Sequence, residues 1–280
     1  ASVVVEDGMS PVGQALSEPE VPTRIRAGAR SVALDAFPVG TNPEVIAGLV
    51  DAENGLAMQA SIREELGDKR LIAAVGRTDY TKGMIEALLA FERLLERRPE
   101  VRGKVKLMVT SVRAADGMRI YRETQRDVEA LAGRINGRYS DLRWTPVLLF
   151  TNAVPFDRLI SYYRAADVCL TTPLRDGLNL VAKEYVAARH GMGGALVLSE
   201  FAGCAVELPQ AILTNPYSTR AMDAALDKAL DMPEAEGRDR MAAMNRTVRR
   251  YDIAHWAGHT LDRFGEIGAG MRPADQLAAG

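Results

Sequence analysis

Two segments of the sequence combine cations, carboxylates and glycines in an order that could bind a sugar joined to a diphosphate. In the first, Gly76 and Arg77 follow an apolar run, and Lys82 lies directly before a helical pattern that begins at Gly83. Glycine allows close backbone approach, arginine binds pairs of oxygen atoms, and lysine and the helix amides add positive charge. The segment therefore predicts a diphosphate clamp. The alternative is an ordinary turn between a strand and a helix that carries two surface cations.

The second segment, residues 172–184, also leaves an apolar run and enters a helical pattern. Asp176 and Glu184 lie eight residues apart, which is about two helical turns if the helix begins near Leu178. A carboxylate accepts hydrogen bonds from two hydroxyl groups, so these side chains could hold opposite ends of an extended ligand, with the Gly177 amide between them. The alternative is that Asp176 caps the helix and Glu184 is solvated.

A third junction of the same kind spans residues 199–208 and is rich in small side chains. Small residues at such a junction indicate either tight packing or a backbone close to a ligand. We favour tight packing here.

Alternating strand and helix patterns would position these segments. Apolar, β-branched runs typical of buried strands occur at residues 31–39, 70–75, 104–111, 146–150, 167–172, 195–198 and 211–214. Helical patterns lie at about residues 83–97, 118–134, 156–165, 178–188, 219–230 and 241–249. This order predicts an α/β fold with a Rossmann-like parallel sheet and helices on both faces. The residues before Ser31 are predicted to be irregular.

Composition narrows the class of protein further. The 280 residues are 47% hydrophobic and 26% charged, with a formal net charge of -2. The chain therefore has no overall positive charge that would favour binding to nucleic acid. We find no run long enough to span a membrane and no secretory signal pattern. Cys169 and Cys204 lie in apolar settings and are predicted to be core residues of a reduced, cytoplasmic protein.

Metal and dinucleotide motifs are not found. His255 and His259 could share one helix face, but no glutamate lies between them, so the metalloprotease pattern is missing. A dehydrogenase would need G-x-G-x-x-G after a strand, and no predicted strand is followed by that spacing.

Several motifs resemble, in order, the trehalose-6-phosphate synthase family of retaining glucosyltransferases. They lie at residues 76–83, 132–137, 172–187, 197–208 and 214–217, and the resemblance extends over about residues 37–256. Within that family the chain is most similar to the branch that makes glucosylglycerol phosphate. Thr78, where trehalose-phosphate synthases usually have leucine, is one feature of that branch, and residues 110–118 and 146–151 are others.

The resemblance implies a GT-B fold, in which two Rossmann-like domains face each other across a cleft. The chain resembles the C-terminal, donor-binding domain alone. Residues 41–268 would form that domain, residues 1–40 would be the end of an N-terminal domain and the linker, and residues 269–280 a flexible tail. An N-terminal domain would complete the cleft.

The resemblance also implies roles for individual residues. Arg77 and Lys82 would bind the donor diphosphate, Asp176 the glucose hydroxyls and Glu184 the nucleotide ribose, and the first three would act in catalysis. Arg113 would reach the acceptor phosphate. The backbone around the donor would come from Gly76, Gly177, Leu178, Asn179, Leu180 and Val181. Neither a metal nor another cofactor is implied.

The expected reaction moves glucose, with retention, from a nucleoside-diphosphate glucose to glycerol 3-phosphate. ADP-glucose is the expected donor, although the sequence itself leaves ADP, GDP and UDP open. Two alternatives remain at this point: transfer to glucose 6-phosphate, as in trehalose-phosphate synthesis, and a non-catalytic module that binds a nucleotide sugar.

Overall fold

The computed structural model describes residues 3–9, 22–27, 30–34, 37–112 and 119–270. These residues fall into two compact units, Pro43–Arg249 and a smaller one drawn from Ala1–Asn42 and Arg250–Gly280. The larger unit carries all the described residues of the predicted site.

The larger unit is built on a six-stranded parallel sheet. Its strands are β4 (Arg70–Arg77), β5 (Val105–Val112), β6 (Val147–Phe150), β7 (Val168–Thr171), β8 (Ala195–Ser199) and β9 (Ile212–Thr214). They follow the spatial order β6-β5-β4-β7-β8-β9. Counted from β4, this order reads 3-2-1-4-5-6, which is the order of the Rossmann sheet, and it reverses direction between β4 and β7.

Helices cover both faces of this sheet. On one face lie α3 (Met84–Arg97), α4 (Arg119–Tyr139) and α7 (Thr219–Asp231), and on the other α1 (Pro43–Asp51), α2 (Glu53–Leu66), α5 (Phe156–Ala165), α6 (Leu180–Ala188) and α8 (Glu234–Arg250). Strand β4 shows how the layers form: Ile72 and Ala74 pack into the first face, and Leu71 and Ala73 into the second. Because successive side chains of a strand alternate, one apolar run supplies both cores. The predicted fold class is confirmed.

The predicted strands of this sheet agree with the observed ones to within two residues at each end. Helices α1 and α2 were not predicted, although Pro43 occupies the first helical position, where proline is favoured. Helix α8 begins at Glu234 rather than at residue 241, because its first turns are too polar to show apolar periodicity.

The smaller unit differs from the sequence prediction. Strands β1 (Val3–Met9), β2 (Pro22–Ala27) and β3 (Arg30–Ala33) pair antiparallel, so the prediction that the residues before Ser31 are irregular is wrong for these strands. The strand predicted at residues 31–39 ends at Ala33 and does not belong to the parallel sheet. In helix α9 (Ile253–Gly270), the His259 ring packs against Phe37 with centroids 4.6 Å apart.

Candidate functional site

The two predicted segments meet at the carboxyl end of the sheet, where the strand order reverses. The loop after β4 and the loop after β7 are joined by a hydrogen bond of 2.7 Å from the Leu174 amide to the Thr81 carbonyl. Gly83 has a φ of 70°, and a Cβ added there would lie 2.0 Å from the Thr172 carbonyl oxygen. Only glycine permits this approach, so Gly83 brings the loops into contact. In open α/β sheets this crevice is where ligands bind.

A charge pair connects the two loops. Lys82 Nζ lies 2.7 Å from Asp176 Oδ2, and the two side chains are 23% and 13% exposed. The Lys82 end is shaped by a 3-10 turn, Tyr80–Lys82, which Asp79 caps by accepting a hydrogen bond from the Thr81 amide at 2.9 Å. The cation and the carboxylate that were predicted from separate segments therefore share one site.

Asp176 does not cap the helix that follows it. Helix α6 begins at Leu180, two residues later than expected, and its cap is Asn179, whose Oδ1 accepts from the Ala182 amide at 3.0 Å. Asn179 adopts a left-handed φ of 68°, and its Nδ2 donates to Asp176 Oδ2 at 3.2 Å. Asn179 takes the capping role, and Asp176 faces Lys82. The structural alternative for Asp176 is therefore wrong.

The remaining residues that were predicted to bind the donor line an accessible rim. Arg77 is exposed, and its guanidinium forms no hydrogen bond or ion pair with any other residue that the structure describes. Gly76 is half-buried and donates its amide to Thr110 Oγ1 at 3.1 Å. The rim continues through the exposed Gly177, Leu178 and Leu180 and the half-buried Val181. Arg113 lies outside the described residues.

The third junction, residues 199–208, packs against the loop that carries Asp176. Gly203 N donates to the Asp176 carbonyl at 2.9 Å, and Cys204 N donates to the Leu178 carbonyl at 3.0 Å. A Cβ on Gly203 would lie 2.0 Å from the Gly177 carbonyl oxygen. The expected tight packing at this junction is confirmed.

Sequence reasoning missed a buried ion pair beneath this loop. Lys183 Nζ on α6 lies 2.7 Å from Glu207 Oε1, which directly follows the 3-10 turn Gly203–Val206, and the side chains are 3% and 2% exposed. Burial raises the pKa of the Glu207 carboxyl, and Lys183 opposes that rise. The pair connects α6 to the turn that supports Asp176. The signal in the sequence that could have revealed this ion pair is a lysine on an otherwise apolar face of α6.

Glu184 is half-buried on α6 rather than solvated. Burial raises the pKa of its carboxyl above the ordinary value, and the hydroxyl of the buried Tyr163 opposes the rise. Cys169 lies in the same region, and burial raises the pKa of its thiol to about 12. Both predicted core cysteines, Cys169 and Cys204, are buried and form no disulfide.

This arrangement can bind an anion and several hydroxyl groups at once. Arg77 and Lys82 supply positive charge, the amides near Leu180 add the partial charge of a helix start, and the Asp176 carboxylate can accept hydrogen bonds from hydroxyl groups. No contact of the described residues joins Glu184 to this group. In the described parts of the chain, no three histidine, cysteine or acidic side chains group closely enough to hold a metal ion. None of the described helices has the length and apolar composition needed to cross a bilayer.

The chain is similar to proteins of known family over most of its length. The family model of glycosyltransferase family 20 matches residues 11–266. A glucosylglycerol-phosphate synthase from Synechocystis sp. is 52% identical over 97% of this chain and 54% of its own length.

Solved structures of trehalose-phosphate synthases are also similar to this chain. A UDP-forming α,α-trehalose-phosphate synthase from Burkholderia xenovorans, in complex with glucose-6-phosphate, superposes with a TM-score of 0.81 at 38% identity, over 85% of this chain and 52% of that one. A trehalose-6-phosphate synthase studied with bisubstrate glycomimetics, in work on glycosyl transfer with retention, gives 0.82 at 37% identity, over 87% and 54%. The chain thus spans about half the length of the relatives it matches.

Proposed function

Since the chain belongs to glycosyltransferase family 20, we propose that it is the donor-binding half of an enzyme that moves glucose from a nucleotide sugar to glycerol 3-phosphate. The contact between Lys82 and Asp176 carries this proposal, because it joins a candidate phosphate ligand to a candidate sugar ligand at the strand-order reversal. The higher identity to a glucosylglycerol-phosphate synthase than to trehalose-phosphate synthases supports the choice of acceptor. We retain residues 41–268 as the proposed donor domain, which contains the compact unit Pro43–Arg249.

The chemistry follows from where charge develops. As glucose leaves the nucleoside diphosphate, negative charge grows on the β-phosphate and positive charge on the anomeric carbon. Arg77, Lys82 and the amides near Leu180 would stabilise the leaving phosphate in the transition state, where preorganised charge is most effective. Asp176 would hold the glucose hydroxyls and Glu184 the ribose hydroxyls.

Retention of the anomeric configuration is part of the proposal. A double displacement through a glycosyl-enzyme would need a carboxylate nucleophile about 5 Å from a second carboxylate. Asp176 is instead bound by Lys82 and assigned to glucose. We propose attack on the face from which the phosphate leaves, with the leaving phosphate accepting the proton of the acceptor hydroxyl.

We expect this chain to bind the nucleoside diphosphate but not to transfer glucose by itself. The described residues with proposed roles are all assigned to the donor. Arg113 is the one residue of the chain assigned to the acceptor. Transfer requires the acceptor oxygen within about 3–3.5 Å of the anomeric carbon, which a facing domain would enforce. The measurement is product formation from ADP-glucose and glycerol 3-phosphate by the chain and by the full-length enzyme.

The same assay should include UDP-glucose and GDP-glucose as donors and glucose 6-phosphate as an acceptor. Glucosylglycerol phosphate from the full-length enzyme is the expected product. Trehalose phosphate as the main product would replace the proposed acceptor. Donor binding without turnover on any acceptor would instead identify a non-catalytic module.

Replacing Glu184 with glutamine should move stability and binding in opposite directions. The raised pKa means that the folded chain binds the proton more tightly than the unfolded chain, so stability falls as pH rises from about 4.5 through the folded pKa. Glutamine avoids the cost of a buried charge, so the free energy of unfolding at pH 7 should increase. Nucleoside diphosphate binding should weaken about tenfold, because a ribose hydroxyl loses a charged acceptor.

Urea unfolding at pH 5 and pH 7 and calorimetric titration would measure both effects. The control is Glu65→Gln on the exposed side of α2, which should change neither quantity. If Glu184→Gln leaves nucleotide affinity unchanged, the ribose assignment is wrong.

A further inference from the structure

Asn179 has an unusual backbone conformation at the start of α6. Its φ of 68° and ψ of 89° make it the one non-glycine residue with a positive φ in the described ranges of the chain. Helix caps normally have an extended backbone. Asparagine tolerates the left-handed region better than most residues, but such conformations persist only where the surrounding structure determines them. At Asn179 the contacts of its own side chain do so.

The two ends of the Asn179 amide bind different elements. Oδ1 accepts a hydrogen bond from the Ala182 amide at 3.0 Å and so caps α6, and Nδ2 donates to Asp176 Oδ2 at 3.2 Å. The amide cannot be turned over, because Nδ2 would then face an N–H group and Oδ1 a carboxylate. A planar amide also cannot adjust one contact without moving the other. Asn179 thus ties the Asp176 carboxylate to the start of α6.

Three donors surround the Asp176 carboxylate, and Asn179 has a distinct part among them. Oδ2 also accepts from Lys82 Nζ at 2.7 Å, and Oδ1 accepts from the Leu178 amide at 3.3 Å. Lys82 supplies the countercharge, but an ammonium group on a flexible chain acts as a point charge and does not fix the plane of a carboxylate. The amide of Asn179 lies on an element with a fixed direction. It therefore sets the orientation in which Asp176 faces a ligand.

The ligand of the proposed site would touch both elements that Asn179 joins. Asp176 is assigned to the glucose hydroxyls, and the amides near Leu180 are assigned to the diphosphate. Glucose and diphosphate belong to one molecule, so a shift of one protein group relative to the other would lose part of the contact. Their relative position therefore matters more than the strength of either contact alone.

We propose that the Asn179 side chain positions the Asp176 carboxylate relative to the start of α6 and so sets the affinity for the nucleotide sugar. The inference rests on the proposed function and deepens it, because it adds a side chain on which recognition of glucose depends. Asn179 is a positioning residue in this role, since its side chain acts through Asp176.

Asn179→Asp separates the two contacts of this side chain. A carboxylate oxygen can still accept from the Ala182 amide, and aspartate is as good a helix cap as asparagine, so the fold should be retained. The donor to Asp176 is lost, and a second carboxylate faces it instead. We expect the Kd for the nucleotide sugar to rise about tenfold, measured by calorimetric titration of the chain at pH 7. The probe is whichever of ADP-glucose, UDP-glucose and GDP-glucose the wild type binds most tightly.

Asn136→Asp is the matched control. The Asn136 amide also makes two hydrogen bonds, donating to the Val147 carbonyl at 3.0 Å and accepting from the Val147 amide at 2.9 Å. Val147 is the first residue of β6, so this pair lies at the opposite end of the parallel sheet from the site. The same substitution keeps one bond and breaks the other there. It should lower the melting temperature at least as much as Asn179→Asp and change the Kd less than about twofold.

A double variant shows whether Asn179 acts through Asp176. Asp176→Ala alone leaves Arg77 and Glu184 to bind the nucleotide, so the affinity should stay measurable. In that background Asn179→Asp should change the Kd less than about threefold, because the group that Asn179 positions is gone. The same set of variants, compared in the free energy of unfolding, needs no ligand and should also show coupling between the two residues.

Three outcomes would overturn the inference. The first is a Kd in Asn179→Asp near the wild-type value. The second is an undiminished effect in the Asp176→Ala background, which would mean that the new charge acts on the ligand directly. The third is an absence of coupling in the free energy of unfolding, which would contradict the contact itself. A wild-type chain that binds none of the three nucleotide sugars would instead disprove the proposed donor site.

Discussion

Replacement of Arg77 with alanine should lower the turnover of the full-length enzyme by about a hundredfold, equivalent to about 3 kcal/mol in the barrier, while the protein stays folded. Arg77 is well suited to this experiment because its exposed guanidinium binds none of the other described residues. Removal of the side chain should therefore cost little stability. A loss of activity would then report the loss of a contact between Arg77 and the ligand. The measurements are steady-state turnover with saturating donor and the melting temperature.

Lys82→Ala should cause a loss of similar size, but it also removes the cation beside Asp176. A partly buried carboxylate without its countercharge costs stability, so a lower melting temperature is expected in this variant and not in Arg77→Ala. The matched control is Arg246→Ala on α8, which removes another exposed arginine that binds no other described side chain. Near-normal turnover in both Arg77→Ala and Lys82→Ala would disprove the diphosphate clamp.

The central sheet could be predicted because its strands are short apolar runs buried on both sides. Val105–Val112 is almost wholly buried, so its run of apolar and small residues stands out from the polar loops around it. Helix α2 lacks that contrast. In α2 the buried positions are Gly55, Ile62 and Leu66, which are too sparse to define an apolar stripe.

The meeting of the two segments at one edge of the sheet could also be predicted, because parallel strands end at one edge and both motifs follow strand ends. The contacts that individual side chains make within this group could not be predicted. Asp176 and Asn179 are both good helix caps, and the sequence gives no reason to prefer the later one. The choice depends on Lys82, which is 94 residues from Asp176 in the chain and is brought close by the loop contact at Gly83.

Buried polar contacts between distant segments were the least predictable feature. Thr78 and Ser111 lie in segments that resemble one branch of the family, but the 3.0 Å contact between their hydroxyl oxygens depends on the register of β4 against β5, which pairs Gly76 with Ser111 and Arg77 with Val112. Local propensity carries no information about that register. The same limit explains why the Lys183–Glu207 pair was missed.

The Lys183–Glu207 pair leads to the largest expected effect on stability. Glu207→Leu removes the carboxylate that lies 2.7 Å from an ammonium group that is 3% exposed, so this ion pair no longer offsets the desolvation of the charge. Breaking one side of a buried ion pair typically costs about 3–5 kcal/mol, so we expect a decrease of that size in the free energy of unfolding. Urea unfolding of the chain measures it directly.

The double variant Lys183→Met with Glu207→Leu separates charge from packing. Apolar side chains of similar volume remove both charges, and such replacements are often neutral or stabilising, so stability should return to within about 1 kcal/mol of the wild type. Glu236→Leu is the control, since its i,i+4 pair with Arg240 is partly exposed to water and should contribute less than about 1 kcal/mol. A loss below 1 kcal/mol in Glu207→Leu would mean that water or another group already compensates the charge. Because the pair anchors the turn that binds Asp176 and Leu178, nucleotide affinity should fall in the single variant and recover with stability in the double one.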